Sequence, residues 1–182
     1  MQHDMIIAGF GGQGVLLIGK IIAYAGMNSG REVSWLPSYG AEMRGGTANC
    51  TVVVSDEPVG SPVIQNPWAV VALNLPSLDK FEKVVAPGGV LVVNTSLIPR
   101  AVRRTDVKLV NVAANDICNE LGNTRGTNMV ILGTLLGATG FLPVEEVEKM
   151  IRVTFQSKPA LIDVNIECFR RGFAVGETQK VD

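Results

Sequence analysis

Residues Met5 to Lys20 read M-I-I-A-G-F-G-G-Q-G-V-L-L-I-G-K, and no other stretch restricts the fold as much. A short apolar run leads into a turn with Gly9, Gly11 and Gly14 at G-x-G-x-x-G spacing, then into an apolar-dense segment from Val15 to Met27. That succession is a strand, a tight turn and a helix, the opening unit of a doubly wound α/β domain. The fold class it predicts is a single Rossmann-like, mostly parallel sheet with helices on both faces. The glycines divide the work: Gly9 for the turn, Gly11 for close approach of a ligand or another backbone, Gly14 for laying the helix near the strand. The amides that open the helix form a positive end suited to an anion. The fingerprint is nevertheless incomplete. A dinucleotide site needs an acid at the tip of the second strand. Here Glu32–Leu36 forms that strand, Glu32 sits at its wrong end, and the tip reads Pro37-Ser38-Tyr39. A turn that binds nothing is an equal alternative at this point.

A chain of 182 residues suits one domain spanning 1–182. Apolar residues make up 47% and charged ones 18%, with a mean hydropathy of +0.28. The longest apolar run, Met129 to Leu142, is interrupted by Gly133, Thr134, Gly137, Thr139 and Gly140 and is no membrane span. With the first strand starting within a few residues of Met1, the expectation is a cytoplasmic protein whose surplus apolar surface covers a subunit interface. Sixteen basic residues against 17 acidic ones leave no basic stripe for nucleic acid. Arg100, Arg103 and Arg104 read as a brief solvated run. Cys50, Cys118 and Cys168 lack any C-x-x-C spacing and read as reduced, buried thiols rather than cluster ligands.

The second informative stretch is Pro37-Ser38-Tyr39-Gly40-Ala41-Glu42-Met43-Arg44-Gly45-Gly46. It lies where the carboxyl end of a strand delivers a loop, the edge at which open α/β sheets bind ligands and partners. Glu42 and Arg44 serve there as contacts or remain solvated. Further strands are expected over Thr47–Ser55, Ala69–Asn74, Val90–Asn94 and Lys108–Val112. Helices are expected over Leu78–Val85, Asn115–Leu121 and Asn128–Thr139, with another opened by Pro143. A terminal helix is expected over Ala160–Gly172, capped by Arg170-Arg171-Gly172, with a tail from Val175. Gly133 and Gly137, four apart, point to close helix packing.

Catalytic constellations are missing. The single histidine, His3, lies in an N-terminal segment expected to be disordered, which excludes Ser-His-Asp and Cys-His arrangements. No G-x-S-x-G or phosphate-loop lysine occurs. A ligand-ready fold without acid, base or nucleophile is that of a component of a larger enzyme.

Gly9–Lys20 together with Pro37–Gly46, continuing through V-S-D-E-P-V-G-S-P, resembles the gamma subunit of 2-oxoacid:ferredoxin oxidoreductases, most closely the 2-oxoglutarate and 2-oxoisovalerate types. The resemblance implies oxidative decarboxylation of a 2-oxoacid, 2-oxoglutarate first and 2-oxoisovalerate second, to its acyl-CoA with electrons passed to ferredoxin. It implies no cofactor bound by this chain alone. Thiamine diphosphate, magnesium and iron–sulfur clusters reside in partner subunits, and CoA is the cosubstrate. The partners implied are alpha and beta subunits, with or without delta, and ferredoxin through the complex. It assigns no catalytic residue. The cofactor-binding or interface candidates are Gly9, Gly11, Gly12, Gln13, Gly14, Tyr39, Gly40, Glu42, Arg44, Gly45 and Gly46. The alternative is a self-sufficient nicotinamide-dependent dehydrogenase.

Overall fold

Residues 1–39 and 46–181 are described by the structure, a computed structural model. In chain order the elements are β1 (Gln2–Phe10), α1 (Val15–Asn28), β2 (Glu32–Tyr39), β3 (Thr47–Ser55), β4 (Ala69–Ala72), α2 (Leu75–Phe81), β5 (Val90–Asn94), β6 (Lys108–Val112), α3 (Ala114–Glu120), α4 (Thr127–Thr139), α5 (Val144–Thr154) and α6 (Ile162–Glu177). The six strands form one sheet in the order β2-β3-β1-β4-β5-β6. The pairs β1–β4, β4–β5 and β5–β6 are parallel, whereas β3 runs antiparallel to both β1 and β2. The expected mostly parallel α/β sheet is therefore present, with one reversed strand inserted between β1 and β2.

Period-two alternation divides the core. Met5, Ile7, Cys50, Val52, Ala69, Val71, Val90, Val92, Val110 and Val112 face a thick layer built from α1, α3, α4, α5 and α6. Ile6, Ala8, Val70, Ala72, Leu91 and Val93 face a thin one, made by α2, Val85 and Ile98. Helices do cover both faces, but very unequally. Strands β4 and β5 are buried along their whole length, which explains why they read as continuous apolar runs rather than alternating ones.

Packing explains the departures from the expected boundaries. Pairing along all of β3 draws β1 back to Gln2. Edge strand β2 runs on to Tyr39 and tolerates Pro37, because an edge residue need not donate on its free side. Asn74 leaves the expected fourth strand to cap α2, its Oδ1 accepting the Ser77 N–H at 3.0 Å, so that helix starts at Leu75 and ends in a 3₁₀ turn over Glu82–Val84.

The last helix does not stop at Gly172. It continues to Glu177, and Gly172 packs against the backbone of Val130 instead of capping anything. The expected tail from Val175 is helical to Glu177, and the Val181 N–H donates to the Ala138 carbonyl. Gln179 lies along the open edge of β6. Its Nε2 donates to the Asn111 carbonyl (2.8 Å) and its Oε1 accepts the Asn111 N–H (2.9 Å), closing that edge as a strand would. His3 is likewise an ordered member of β1. Its ring stacks edge-on against Trp68 at 4.5 Å and lies 5.7 Å from Phe141. Among the described residues no helix is long and apolar enough to cross a membrane.

Candidate functional site

The turn after β1 is held from within by Gln13. Its Oε1 accepts the Phe10 N–H at 2.6 Å and the Asn74 Nδ2–H at 2.9 Å. Asn74 follows β4, and β1 and β4 are the two strands from which the chain winds in opposite directions. Ligands of doubly wound folds sit in the crevice beyond such a pair. In this chain the Gln13–Asn74 bridge spans it.

An open cleft of about 480 Å³ lies on the other side of the turn, toward β3. Phe10, Val15, Leu16, Leu17 and Ala48 wall it, with the backbone of Gly11, Gly12 and Gly14. The Gly11 N–H donates to the Gly46 carbonyl at 2.9 Å, so the two glycine-rich motifs meet at this cleft. Tyr39, last residue of β2, is in register with Ala48 on the wall. Gly40, Glu42, Arg44 and Gly45 lie outside the described residues.

Glycine duties differ from those the spacing suggests. Gly9 is the residue that lets helix and strand close up: a Cβ there would come 2.8 Å from Val15 Cγ2 and 3.0 Å from Leu73 Cβ. Gly14 sits at φ 76° as the N-cap of α1, and its missing side chain makes room for Asn128 of α4, whose Cγ would be 2.8 Å from a Cβ. Asn128 and Asn74 were not foreseen as site residues. G-T-N at 126–128, a polar opening to an apolar helix, was the available signal for the first.

Among the described residues no charged side chain lines the cleft. The thiol nearest to it, Cys50, donates to the Val15 carbonyl at 3.6 Å, and burial pushes its pKa up to about 12, which rules it out as a nucleophile at neutral pH. Among the described residues no three His, Cys, Asp or Glu side chains gather to hold a metal. The residues described do not fit an iron–sulfur cluster or a magnesium site. The arrangement suits an apolar or slender polar group lying against backbone, and its described residues offer no acid–base pair.

The arginine run is not a solvated face. Arg100 reaches Asp79 (2.6 and 2.9 Å) and Glu82 (2.8 Å), and Arg104 pairs with Asp106 at 2.6 Å while donating to the carbonyls of Glu82, Lys83 and Val85. Glu82 is buried, which works to raise its pKa. Hydrogen bonds from the Arg103 amide, the Arg100 guanidinium and the Arg104 amide outweigh that and hold it below the ordinary carboxylate range. The run staples the Ile98–Lys108 segment to α2; of its three arginines, Arg100 and Arg104 form ion pairs with described residues.

Residues 4–175 match the family model of the pyruvate ferredoxin/flavodoxin oxidoreductases. The chain belongs to this family. Subunit VorA of ketoisovalerate oxidoreductase from Methanothermobacter marburgensis is 42% identical over 168 residues, covering 91% of this chain. This chain spans only 35% of that relative's length. Subunit KorC of 2-oxoglutarate synthase from Methanothermobacter thermautotrophicus is 32% identical over 179 residues, 94% of both chains. Among solved structures, the gamma subunit of a keto/oxoacid ferredoxin oxidoreductase from Geobacter sulfurreducens aligns with a TM-score of 0.83 at 28% identity, covering 97% of this chain and 99% of that one. The 2-oxoglutarate:ferredoxin oxidoreductase from Magnetococcus marinus shares the fold, with a TM-score of 0.90 at 23% identity, over 100% of this chain and 32% of that one. The resemblance to oxidoreductase gamma subunits, read from the two glycine motifs, thus holds across nearly the whole chain.

Proposed function

We propose that this chain acts in the cytoplasm as the gamma subunit of a thiamine-diphosphate-dependent 2-oxoacid:ferredoxin oxidoreductase, converting a 2-oxoacid and CoA to acyl-CoA and CO2 with two electrons passed to ferredoxin. The observation that carries this reading is a family match over most of the chain, in a domain whose cleft, among the described residues, is walled by apolar and glycine residues. A domain so furnished positions other components. Thiamine diphosphate, magnesium and the clusters belong to alpha, beta or delta partners, and supply the decarboxylation and electron transfer there. The neighbour from Magnetococcus marinus carries 2-oxoglutarate, CoA and succinyl-CoA. By that analogy the cleft and the Tyr39–Gly46 segment face the assembled enzyme, against a partner surface or the CoA that reaches it.

For the substrate, 42% identity to VorA against 32% to KorC favours 2-oxoisovalerate over 2-oxoglutarate, reversing the order read from sequence. The stand-alone dehydrogenase reading has no support from the bridged crevice. The experiment is reconstitution with the alpha and beta subunits from the same source. CoA-dependent viologen reduction is measured with 2-oxoisovalerate, 2-oxoglutarate and pyruvate, with and without this chain. Turnover should require the chain and be fastest with 2-oxoisovalerate. Full activity without it, or no CoA-dependent reduction with any 2-oxoacid, would overturn the assignment.

A further inference from the structure

Strand β6 ends the sheet, and among the described residues its outer edge is only partly closed. The Lys108 N–H donates to the Gly89 carbonyl at 2.7 Å and the Val112 carbonyl accepts the Thr95 N–H at 2.9 Å, so Lys108 and Val112 turn their backbone groups toward β5. By the two-residue period Leu109 and Asn111 turn theirs outward. Gln179 meets Asn111 with one donor and one acceptor, as a neighbouring peptide group would. No described residue bonds the outward N–H or carbonyl of Leu109. On the thin face a groove of about 450 Å³ runs beside this edge, lined by Val93, Ile98, Val102 and Leu109 with the polar Thr95 and Asn111. Leu109 is 39% exposed there.

The rim of the groove is basic. Residues 79–106 hold five lysines and arginines against three acids. All three acids, Asp79, Glu82 and Asp106, are engaged by Arg100 and Arg104, whereas Lys80, Lys83 and Arg103 are exposed. The segment therefore stands at +2 in a chain whose total is −1, which leaves the remainder at −3. The Arg103 amide donates to the Glu82 carboxylate, so the cations of α2 and those of the Ile98–Lys108 segment share one face.

We propose that the β6 edge docks an extended acidic segment of a partner protein, which adds a strand to the sheet and places one branched apolar side chain in the groove. The added strand bonds Leu109 and takes Asn111 over from the Gln179 carboxamide, which holds that part of the edge closed until then. Main-chain bonds supply affinity, the groove selects the side chain, and carboxylates on the segment meet the basic rim. A second copy of this chain fits less well. Two β6 edges paired about a two-fold axis would bring one basic rim against the other.

The test titrates the isotope-labelled full chain, by amide-resolved NMR, with an acetylated heptapeptide: isoleucine at the centre, a valine on each side and two glutamates at each end. The spectrum also reports that each variant is folded. Expected are shifts at Thr95, Leu109 and Asn111 and at the Gln179 carboxamide, with binding that weakens as salt is raised. Gln179→Ala removes a competitor that makes two hydrogen bonds, and should bind the peptide about tenfold more tightly. A peptide with serine in place of isoleucine should bind at least about tenfold more weakly. Arg103→Glu and Lys83→Glu should each weaken binding, and a peptide with lysines in place of the glutamates should not bind. No shift at Leu109 with millimolar peptide, an unchanged affinity in Gln179→Ala, or equal binding of the lysine peptide would each overturn the proposal. So would self-association of the chain that Gln179→Ala strengthens, which would give the edge to a second copy.

Discussion

The α4–α6 contact sets up the sharpest stability prediction. Gly133 and Gly137 of α4 face Gly172 and Gly176 of α6, and the two backbones touch. A Cβ at Gly172 would lie 2.7 Å from the Val130 carbonyl carbon and 2.9 Å from its Cα, with the carbonyl oxygen closer still. At Gly133 it would meet the Phe169 carbonyl and come 2.7 Å from the Phe173 nitrogen. These are backbone atoms of buried helices and cannot swing aside. Gly172→Ala therefore has to push α6 off α4. Overpacking of that kind costs about 3 kcal/mol, the upper end of its usual range. Displacement also weakens the 3.1 Å bond from Thr134 Oγ1 to the Gly172 carbonyl, worth about 1 kcal/mol. Better helix propensity returns about 1 kcal/mol. The net loss is about 3 kcal/mol, or about 6–12 °C in Tm for a domain of this size. Thermal and urea melts of the purified chain measure it. Gly60→Ala is the control, because a Cβ there meets nothing within 4 Å and should leave the melt unchanged. A Gly172→Ala chain that melts with wild type would refute close backbone contact as the reason for the glycines.

Burial, then the nearby Arg31 charge, lower the His3 pKa below its ordinary 6.5, against the opposing carboxylates of Asp56 and Asp4. The unfolded chain then binds the extra proton, so this contribution is complete above about pH 6.5 and is lost as pH falls below it; the urea midpoint should decline toward pH 5, and less so in His3→Phe. Gln13→Ala removes the acceptor for the Phe10 amide and Asn74, and should cost about 1–3 kcal/mol by urea melt, with the glycine turn exchanging amide hydrogens faster. Arg44→Ala should leave the isolated melt near wild type yet weaken assembly with alpha and beta by about 2–5 kcal/mol, read by co-purification and the apparent CoA requirement; unchanged values for both would make the segment an ordinary surface loop. Calorimetry with NAD and NADP should show binding weaker than about 100 μM, and a low-micromolar isotherm would revive the dehydrogenase alternative.

How far the sequence discloses this architecture depends on whether the deciding interaction is local. The strand–turn–helix at Met5–Lys20 and the parallel strands were legible because glycine spacing and β-branched runs act within a few residues. Gly133 and Gly137 were legible as a packing face. Their partners were not, although Gly172 and Gly176 repeat the same four-residue spacing; Gly after two arginines also has the look of a C-cap, and only the facing helix decides between them. The same holds for Arg100 and Arg104. Their carboxylate Glu82 lies 18 and 22 residues upstream, and the fold alone brings it underneath them. For the site, the two glycine motifs were each legible as candidates, but their meeting through the Gly11–Gly46 bond was not, because it depends on how β3 pairs with β1. Asn74 and Asn128 were missed because nothing near them in sequence marks an amide that will close a crevice or pack on a distant glycine.

Topology gives a deeper reason for the incomplete nucleotide fingerprint than the missing acid. In a dinucleotide-binding sheet the second strand lies beside the first, so a residue at its tip is one strand spacing from the ribose. Here β3 intervenes, antiparallel, between β1 and β2. Neighbouring strands are about 4.8 Å apart, so the tip of β2 stands roughly 10 Å from β1 rather than about 5 Å. An aspartate installed at Ser38 would still be too distant to hold a ribose over the turn. With β3 beside β1, Gly46 meets Gly11 on one side of the turn, while Gln13 and Asn74 bridge the crevice on the other. A turn of the nucleotide-binding kind is thereby converted into one that holds its own chain on both flanks, leaving the apolar cleft of Phe10, Leu16 and Leu17 open beside it.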